Sequence, residues 1–286
     1  MRYKAESPHE LIMHFRPWQI LLVLSAILGL ASLALSADAA EVDPAGISAK
    51  DLAASLSALQ DGASYVRLRL EVKQPTDTTT ISLQLQIKQR RTKTTADVVY
   101  QVLWPKERKG EAVLLHKAEG SPPQGLLFNP PGKPRTLDAS QMSQALFGSD
   151  LAYQDVIENF FGWENQKIVG SEMIDHTSCV ILESRPEKGA SPYASVRSWI
   201  DSRRLVPLRV EKYLASGQLA RRIDTTRVAT DDKGRSIPAD LTVRGSQEDS
   251  LTNLDGSRIR HDLAYTDRDF APEGVTDLLP PPSVSE

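Results

Sequence analysis

The sequence predicts a mainly β protein: a highly curved antiparallel sheet whose dry, concave apolar face is wrapped round central helices. Two observations carry the sheet. In YVRLRLEVK, Val66, Leu68, Leu70 and Val72 alternate with Arg67, Arg69, Glu71 and Lys73. In ISLQLQIK, Ile81, Leu83, Leu85 and Ile87 alternate with Ser82, Gln84, Gln86 and Lys88. A period of two means one dry face and one wet face, as antiparallel sheets allow. A third observation places the helices: between two long runs of strand-like sequence, residues 133–163 change to helical spacing.

Taken in order, the chain begins with the apolar run Ile20 to Leu35, preceded by Arg16 and followed by Ala37-Asp38-Ala39. A run of this length falls short of the ~20 residues of a spanning helix, and small residues flank the cleavage position. Residues 1–39 are therefore read as a signal peptide cleaved near Ala39–Ala40, with an uncleaved anchor as the alternative and Met13 as a possible start. Cys179, the single cysteine, lies far from this site, so no N-terminal lipid anchor is expected. Residues 40–276 read as one domain and the proline-rich end, 277–286, as a disordered tail. The segment 1–39 holds as many acidic as basic residues, so the net charge of −3 stays after cleavage. Near-neutral charge argues against nucleic acid as a partner. One cysteine excludes an intramolecular disulfide, and Cys179 reads as a buried, inert thiol in a strand.

The first element of the domain is a helix. Ser48 and Asp51 stand at capping-box spacing, Leu52, Leu56 and Leu59 form its stripe, and Gly62 ends it. After the two alternating strands, DVVYQVLW is apolar on both faces and reads as an enclosed strand; GEAVLLHKA and QGLLFN continue the series. The central stretch reads as two helices broken at Gly148. The first carries Met142, Ala145 and Leu146. The second, capped by Ser149 or Asp150, lines up Ala152, Val156, Phe160 and Trp163, widened by Tyr153, Ile157 and Phe161. Gln154, Asp155 and Glu158 are left for water. Strands resume as KIVGSEMI, TSCVILES, ASVRSWID, VPLRVEKYL, LARRIDTTRVAT, PADLTVRG and RIRHDLAYT, with hairpin turns at residues 215–217 and 231–234.

Chemistry-bearing motifs do not emerge: HExxH, GxSxG, CxxC, P-loop and dinucleotide glycine patterns are all missing from the sequence. His116, His176 and His261 have no ligand spacing, and Arg90-Arg91, Arg203-Arg204 and Arg221-Arg222 read as solvated positions at strand ends and turns. Neither a catalytic residue, a metal nor a cofactor is expected. The aromatic face of the central stretch has two readings: a plug that completes a solid core, or one wall of a cavity for an apolar ligand. Periodicity leaves both open.

Two blocks then carry a resemblance. GSDLAYQDV, preceded by KPRTLDASQM, resembles the GSD-aromatic-(S/A)-Y-E-D-(L/V) signature of the LolA-like outer-membrane lipoprotein-sorting proteins. YASVRSWIDSRRLVPLRVEKYLASGQLARRI is similar to a second block of that family. The likeness covers most of residues 48–275. Where relatives carry a W-x-Y-x-P strand, this chain has GLLFNPPGKP. The resemblance implies an unclosed β-barrel, a half-barrel, with helices packed in or across its concave apolar face. It further implies a non-enzymatic carrier of lipoprotein or lipid acyl chains, working in the periplasm and exchanging with a membrane-bound donor or acceptor protein. The chain is expected to act as a monomer. An envelope lipid-sensing module on the same fold is the alternative. The implied apolar lining is Leu68, Leu70, Leu83, Leu85, Tyr100, Val102, Leu126, Phe128, Phe147, Tyr153, Val156, Phe160 and Trp199.

Overall fold

The computed structural model describes residues 46–73, 80–245 and 250–275, without the side chains of residues 257 and 258. The segments read as signal peptide and tail lie outside these, as do residues 75–77, where Pro75-Thr76-Asp77 reads as a turn between the two alternating strands. Helix α1 spans Ala49–Ala58. The Ser48 hydroxyl accepts from the Asp51 amide at 3.1 Å and donates to the Asp51 carboxylate at 2.7 Å. Leu52 and Leu56 are buried, so cap and stripe act as the spacing predicted.

Among the described residues, thirteen strands form one sheet. The first six are β1 (Gly62–Lys73), β2 (Thr80–Arg91), β3 (Thr95–Trp104), β4 (Ala112–Ala118), β5 (Gln124–Phe128) and β6 (Arg135–Leu137). The other seven are β7 (Asn165–Ile174), β8 (Thr177–Arg185), β9 (Ser195–Asp201), β10 (Val206–Tyr213), β11 (Leu219–Thr230), β12 (Ser236–Arg244) and β13 (Leu251–His261). The spatial order is β6-β5-β4-β3-β2-β1-β13-β12-β11-β10-β9-β8-β7, with every neighbouring pair antiparallel. Two meanders therefore meet at one long-range pairing, β1 with β13. Because β6 and β7 remain as edges, the sheet is a half-barrel and not a closed barrel. The antiparallel sheet is what the alternation predicted, and the unclosed barrel is what the resemblance implied.

Parity sorts the sheet into two faces. On the concave side Leu70, Val72, Leu83, Leu85, Val98 and Leu115 join Leu146, Leu151 and Ile157 of the central stretch in the largest core. On the opposite side Val99, Leu114 and Phe128 are covered by Phe270 and Val275, carried by the chain end after β13. There α3 spans Pro272–Val275. Lys88 reaches across to donate to the Gly274 carbonyl at 3.1 Å.

The structure differs from the reading at three elements. β6 was not expected, because Arg135–Leu137 offers too few residues for a periodicity. β13 begins at Leu251, well before the strand read at RIRHDLAYT, and stops at His261. Asn253, Asp255 and Gly256 look like a turn, yet they lie inside the strand beside a bulge between Arg67 and Leu68 of β1. The central stretch is the third case. Its helices reduce to 3-10 turns at Ala139–Gln141, Leu146–Gly148 and Phe160–Gly162, and one five-residue helix, α2, Tyr153–Ile157. Phe147 and Gly148 both have positive φ (54° and 85°), so the break falls where the glycine placed it. The second helix stops at Glu158, which is extended at φ −78°, ψ 136°. A helix this short is held by tertiary partners rather than by its own propensity.

Candidate functional site

Beneath β1, β11, β12 and β13 the concave face is incompletely filled. A cavity of about 560 Å³ is lined by Val66, Leu68, Leu70, Tyr100, Ile223, Leu241, Val243 and Leu254, with Leu146, Leu151 and Val156 of the central stretch as its other wall. Val66, Leu68, Ile223, Leu241 and Val156 are all only partly buried. Their apolar surface borders the void. At its rim stand Arg227, Thr230, Asp232, Pro238 and Arg260, all exposed. The volume is in the range of about 300–1,000 Å³ usual for small-molecule sites.

The expected lining residues separate into groups. Leu68, Leu70, Tyr100 and Val156 border the cavity. Leu83, Leu85, Val102, Tyr153 and Phe147 belong to the same core without bordering the void. The remaining four stand elsewhere. Leu126 and Phe128 face the opposite side, with Leu127 turned to the concave core in their place. QGLLF is apolar on three consecutive positions, and its parity could not be set by pattern. Trp199 also points away, packed with Cys179, Val206 and Leu208, and its indole Nε1 donates to Glu172 at 2.7 Å. Its neighbour Ile200 is the inward residue. Phe160 packs with α1, Ile168 and Leu182 in a second core. There its ring lies tilted against that of Phe161, with centroids 4.4 Å apart. The lining residues outside the expected set include Val66 of β1, Ile87 of β2, Leu146 and Leu151 of the central stretch, and the residues from β11, β12 and β13. Leu241 and Val243 alternate visibly in PADLTVRG and were a usable signal.

Residues expected to face water are buried. The Asp155 side chain is 0% exposed. Its carboxylate accepts from Lys212 Nζ at 2.8 Å, Arg221 Nε at 2.8 Å, Tyr193 Oη at 2.7 Å and the Ala152 amide at 2.7 Å. Burial pushes this carboxyl up, but Lys212 and Arg221 outweigh it and hold it down at about 2. Lys212, from β10, has the rings of Tyr193 and Phe160 at 5.1 and 5.6 Å. Burial and the Asp155 charge push the Tyr193 hydroxyl up, so it stays a donor. Thus two chain-distant basic residues reverse the expected role of Asp155, and Arg221 is not a solvated position. Glu158 is also buried. Its Oε2 accepts from Ser191 at 3.1 Å, its Oε1 has no partner, and burial raises its carboxyl against the pull of Lys212 and Lys117. Asp150 is not a helix cap: its amide donates to Thr252 Oγ1 at 2.9 Å and its carboxylate accepts from that hydroxyl at 2.7 Å.

Arg91 is likewise buried, at 8% exposure. Its guanidinium donates to the carbonyls of Val156 and Ile157 at 2.9 Å each. Those are carbonyls at the end of α2 that the helix itself leaves unpaired. α2 is thus fastened to β2 at its end and to β10 and β11 through Asp155.

On the other side of α2 lies a second cleft of about 830 Å³, bordered by Arg91, Lys93, Lys117, Gln154, Asn159 and Ser191 and by Pro122 and Pro123. Pro122 and Pro123 thus stand on a surface loop at the edge of this cleft. Among the described residues, Asp231, Asp232 and His261 form a cluster with metal-ligand chemistry. Protein partners account for it: Asp231 accepts from Arg235 Nε at 2.8 Å and Asp232 pairs with His261 Nδ1 at 2.5 Å.

An antiparallel half-barrel with short helices across its concave face and an apolar cavity beneath them is the LolA-like fold. A family model whose description reads "uncharacterized protein" matches residues 94–276, and the chain belongs to that family. Solved structures share the architecture. A DUF1329 family protein from Desulfovibrio piger aligns at TM-score 0.73 and 19% identity, over 79% of this chain and 97% of that one. A putative outer membrane lipoprotein-sorting protein domain from Vibrio parahaemolyticus aligns at TM-score 0.70 and 18% identity, over 79% and 97%. A LolA superfamily protein from Nitrosomonas europaea aligns at TM-score 0.65 and 18% identity, over 79% and 99%. No curated protein matches the sequence. The resemblance read from the two sequence blocks therefore holds at the level of fold. No helix among the described residues is long and apolar enough to cross a membrane.

Proposed function

We propose that this protein is an exported periplasmic carrier that holds an acyl chain in the concave cavity and exchanges it with a membrane-bound partner. The observation that carries the reading is the cavity of about 560 Å³ under β1 and β11–β13, whose inner walls are apolar and whose charged residues stand mostly at the rim. Core side chains normally interdigitate with few voids larger than a water. A methylene chain gains roughly 0.8 kcal/mol per buried CH₂, which is enough to hold an amphiphile without any covalent step. The likeness to a lipoprotein-sorting domain supports the same class of cargo. Leu68, Leu70, Tyr100 and Val156 are the residues we assign to the acyl chain, with Leu241 and Ile223 from the second meander. Residues 1–39 direct export in this reading.

Native mass spectrometry of the protein taken from its own periplasm tests it, alongside titration with a fluorescent fatty acid. A co-purifying acyl species and saturable uptake are expected. Leu241→Trp, which places a bulky ring in the cavity wall, should weaken uptake while circular dichroism stays unchanged. A wild type that carries no lipid and takes up no probe would remove the basis of the proposal.

A further inference from the structure

One end of the first meander sets an exposed tryptophan among four exposed cations, and we propose that it docks the protein on an anionic lipid bilayer. Trp104 closes β3 and is 51% exposed. The loop after it carries Lys106 and Lys109 back to β4, and the β5–β6 loop brings Lys133 and Arg135. The two loops touch: a Cβ on Gly110 would lie 3.4 Å from Pro130 Cγ. All four cations are exposed, and none has an ion pair among the described residues. Arg108 differs, since Glu111 accepts from its Nε at 3.0 Å and from its Nη2 at 2.7 Å. Glu107 is then the one unpaired acid of these two loops, against four unpaired cations, in a chain whose net charge is −3.

A single exposed apolar residue is ordinary on any protein surface. Met173, also strongly exposed, stands between Glu172 and Asp175 in the chain; Trp104 differs in having basic neighbours. An indole favours the head-group level of a bilayer, and each Lys or Arg near an anionic surface strengthens binding about fivefold. Pro130, Pro131 and Pro134 are exposed in the same patch, and they lack the amide N–H that resists leaving water. The first loop is already ordered. The Gly110 amide donates to the Val102 carbonyl at 2.9 Å, and the Val102 amide to the Glu111 carbonyl at 2.8 Å, so docking costs little ordering entropy. Trp104 pairs with Gln84, and Gln84 with Arg69 in the second half of β1, whereas Arg260 at the cavity rim pairs with Tyr65 near its start. Patch and rim therefore stand toward opposite ends of the strands, and docking leaves the rim free.

The test is co-sedimentation of the whole protein with vesicles of phosphatidylcholine, with and without phosphatidylglycerol. Every variant keeps the same N-terminus, so differences between variants report the patch. The wild type should bind the anionic vesicles, release them as salt rises, and bind the neutral ones far less. Lys106→Ser with Lys109→Ser should weaken binding roughly 25-fold, and Lys133→Ser with Arg135→Ser comparably. Lys167→Ser with Lys188→Ser removes the same charge from exposed positions elsewhere and should leave binding unchanged. Trp104 emission, read as the difference between wild type and Trp104→Phe, should shift to the blue on binding. Equal binding to both kinds of vesicle, an equal loss in the Lys167 and Lys188 pair, or an unshifted Trp104 emission overturns the proposal. Capture by polyglutamate without capture by vesicles would mark the patch as a dock for an acidic protein and overturn it too. None of these outcomes depends on what the cavity holds.

Discussion

Lys212 shows how much depends on one side chain placed against its strand pattern. In VPLRVEKYL it follows Val210 by two residues, so it points inward, where its side chain is 2% exposed beside a fully buried Asp155. Breaking such a pair leaves a charge without a partner and costs about 3–5 kcal/mol. Lys212→Met should therefore lower the urea unfolding free energy by about that much, far more than an exposed change such as Lys50→Met. The same site fixes the pH response. Asp155 is depressed from 3.8 to about 2, so its contribution is present above the unfolded value and is lost as pH falls through about 2. Converted, that shift is about 2–3 kcal/mol. Glu158 acts in the opposite sense. Its carboxyl is raised by burial, so stability is greatest below the ordinary carboxylate range and declines as pH rises through the raised value. Urea midpoints measured from pH 2 to 8 should show that alkaline-side decline in the wild type and not in Glu158→Gln. Identical profiles would contradict the assignment.

At the scale of elements, α2 is a helix of five residues that owes its existence to other strands. Arg91 of β2 supplies two hydrogen bonds to its closing carbonyls, and bonds to charged groups contribute about 1.5–3 kcal/mol each. Arg91→Met should speed amide exchange at residues 156–159 by at least tenfold while leaving α1 protected. Uniform acceleration across the sheet would instead mean that Arg91 supports the whole core. Here the limits of sequence reading are visible. β1 and β2 were legible because each buries one face, and a strict period of two has one structural meaning. α1 was legible from Ser48 and Asp51. The helix read over residues 150–163 was not real beyond Ile157, although its apolar residues Val156, Phe161 and Ile157 are partly or fully buried as expected. Its polar positions misled because Lys212 and Arg221, more than fifty residues away in the chain, neutralise Asp155 from other strands. Spacing along one segment cannot report such partners. The β13 share of the cavity, Leu254 and Ile259, was hidden because Asn253, Asp255 and Gly256 look like a turn, whereas Leu241 and Val243 of β12 alternate and were legible.

For the whole molecule, the decisive feature is that the two meanders share a single junction. β1 to β6 and β7 to β13 each pair only with their own neighbours, except where β1 meets β13. Loop closure between such distant strands is entropically slow, and its loss is felt on both sides. Gly256 sits at this junction, opposite Leu68 of β1. A Cβ there would lie 2.6 Å from the Ala239 carbonyl oxygen of β12, a backbone atom that cannot rotate away. Gly256→Ala should therefore separate β13 from β12, weaken the Arg227 bond to the Gly256 carbonyl, and reach both halves together. Hydrogen exchange read in β3 and in β9, one strand from each meander, gives the answer. Comparable acceleration in both, with a single urea transition at a lower midpoint, is the expected result. If β9 loses protection while β3 keeps it, the meanders are independent folding units and the β1–β13 pairing is only a contact between them. A stabilised or unchanged protein would mean that the strand absorbs the methyl group by shifting, and that the close approach at Gly256 carries no structural cost.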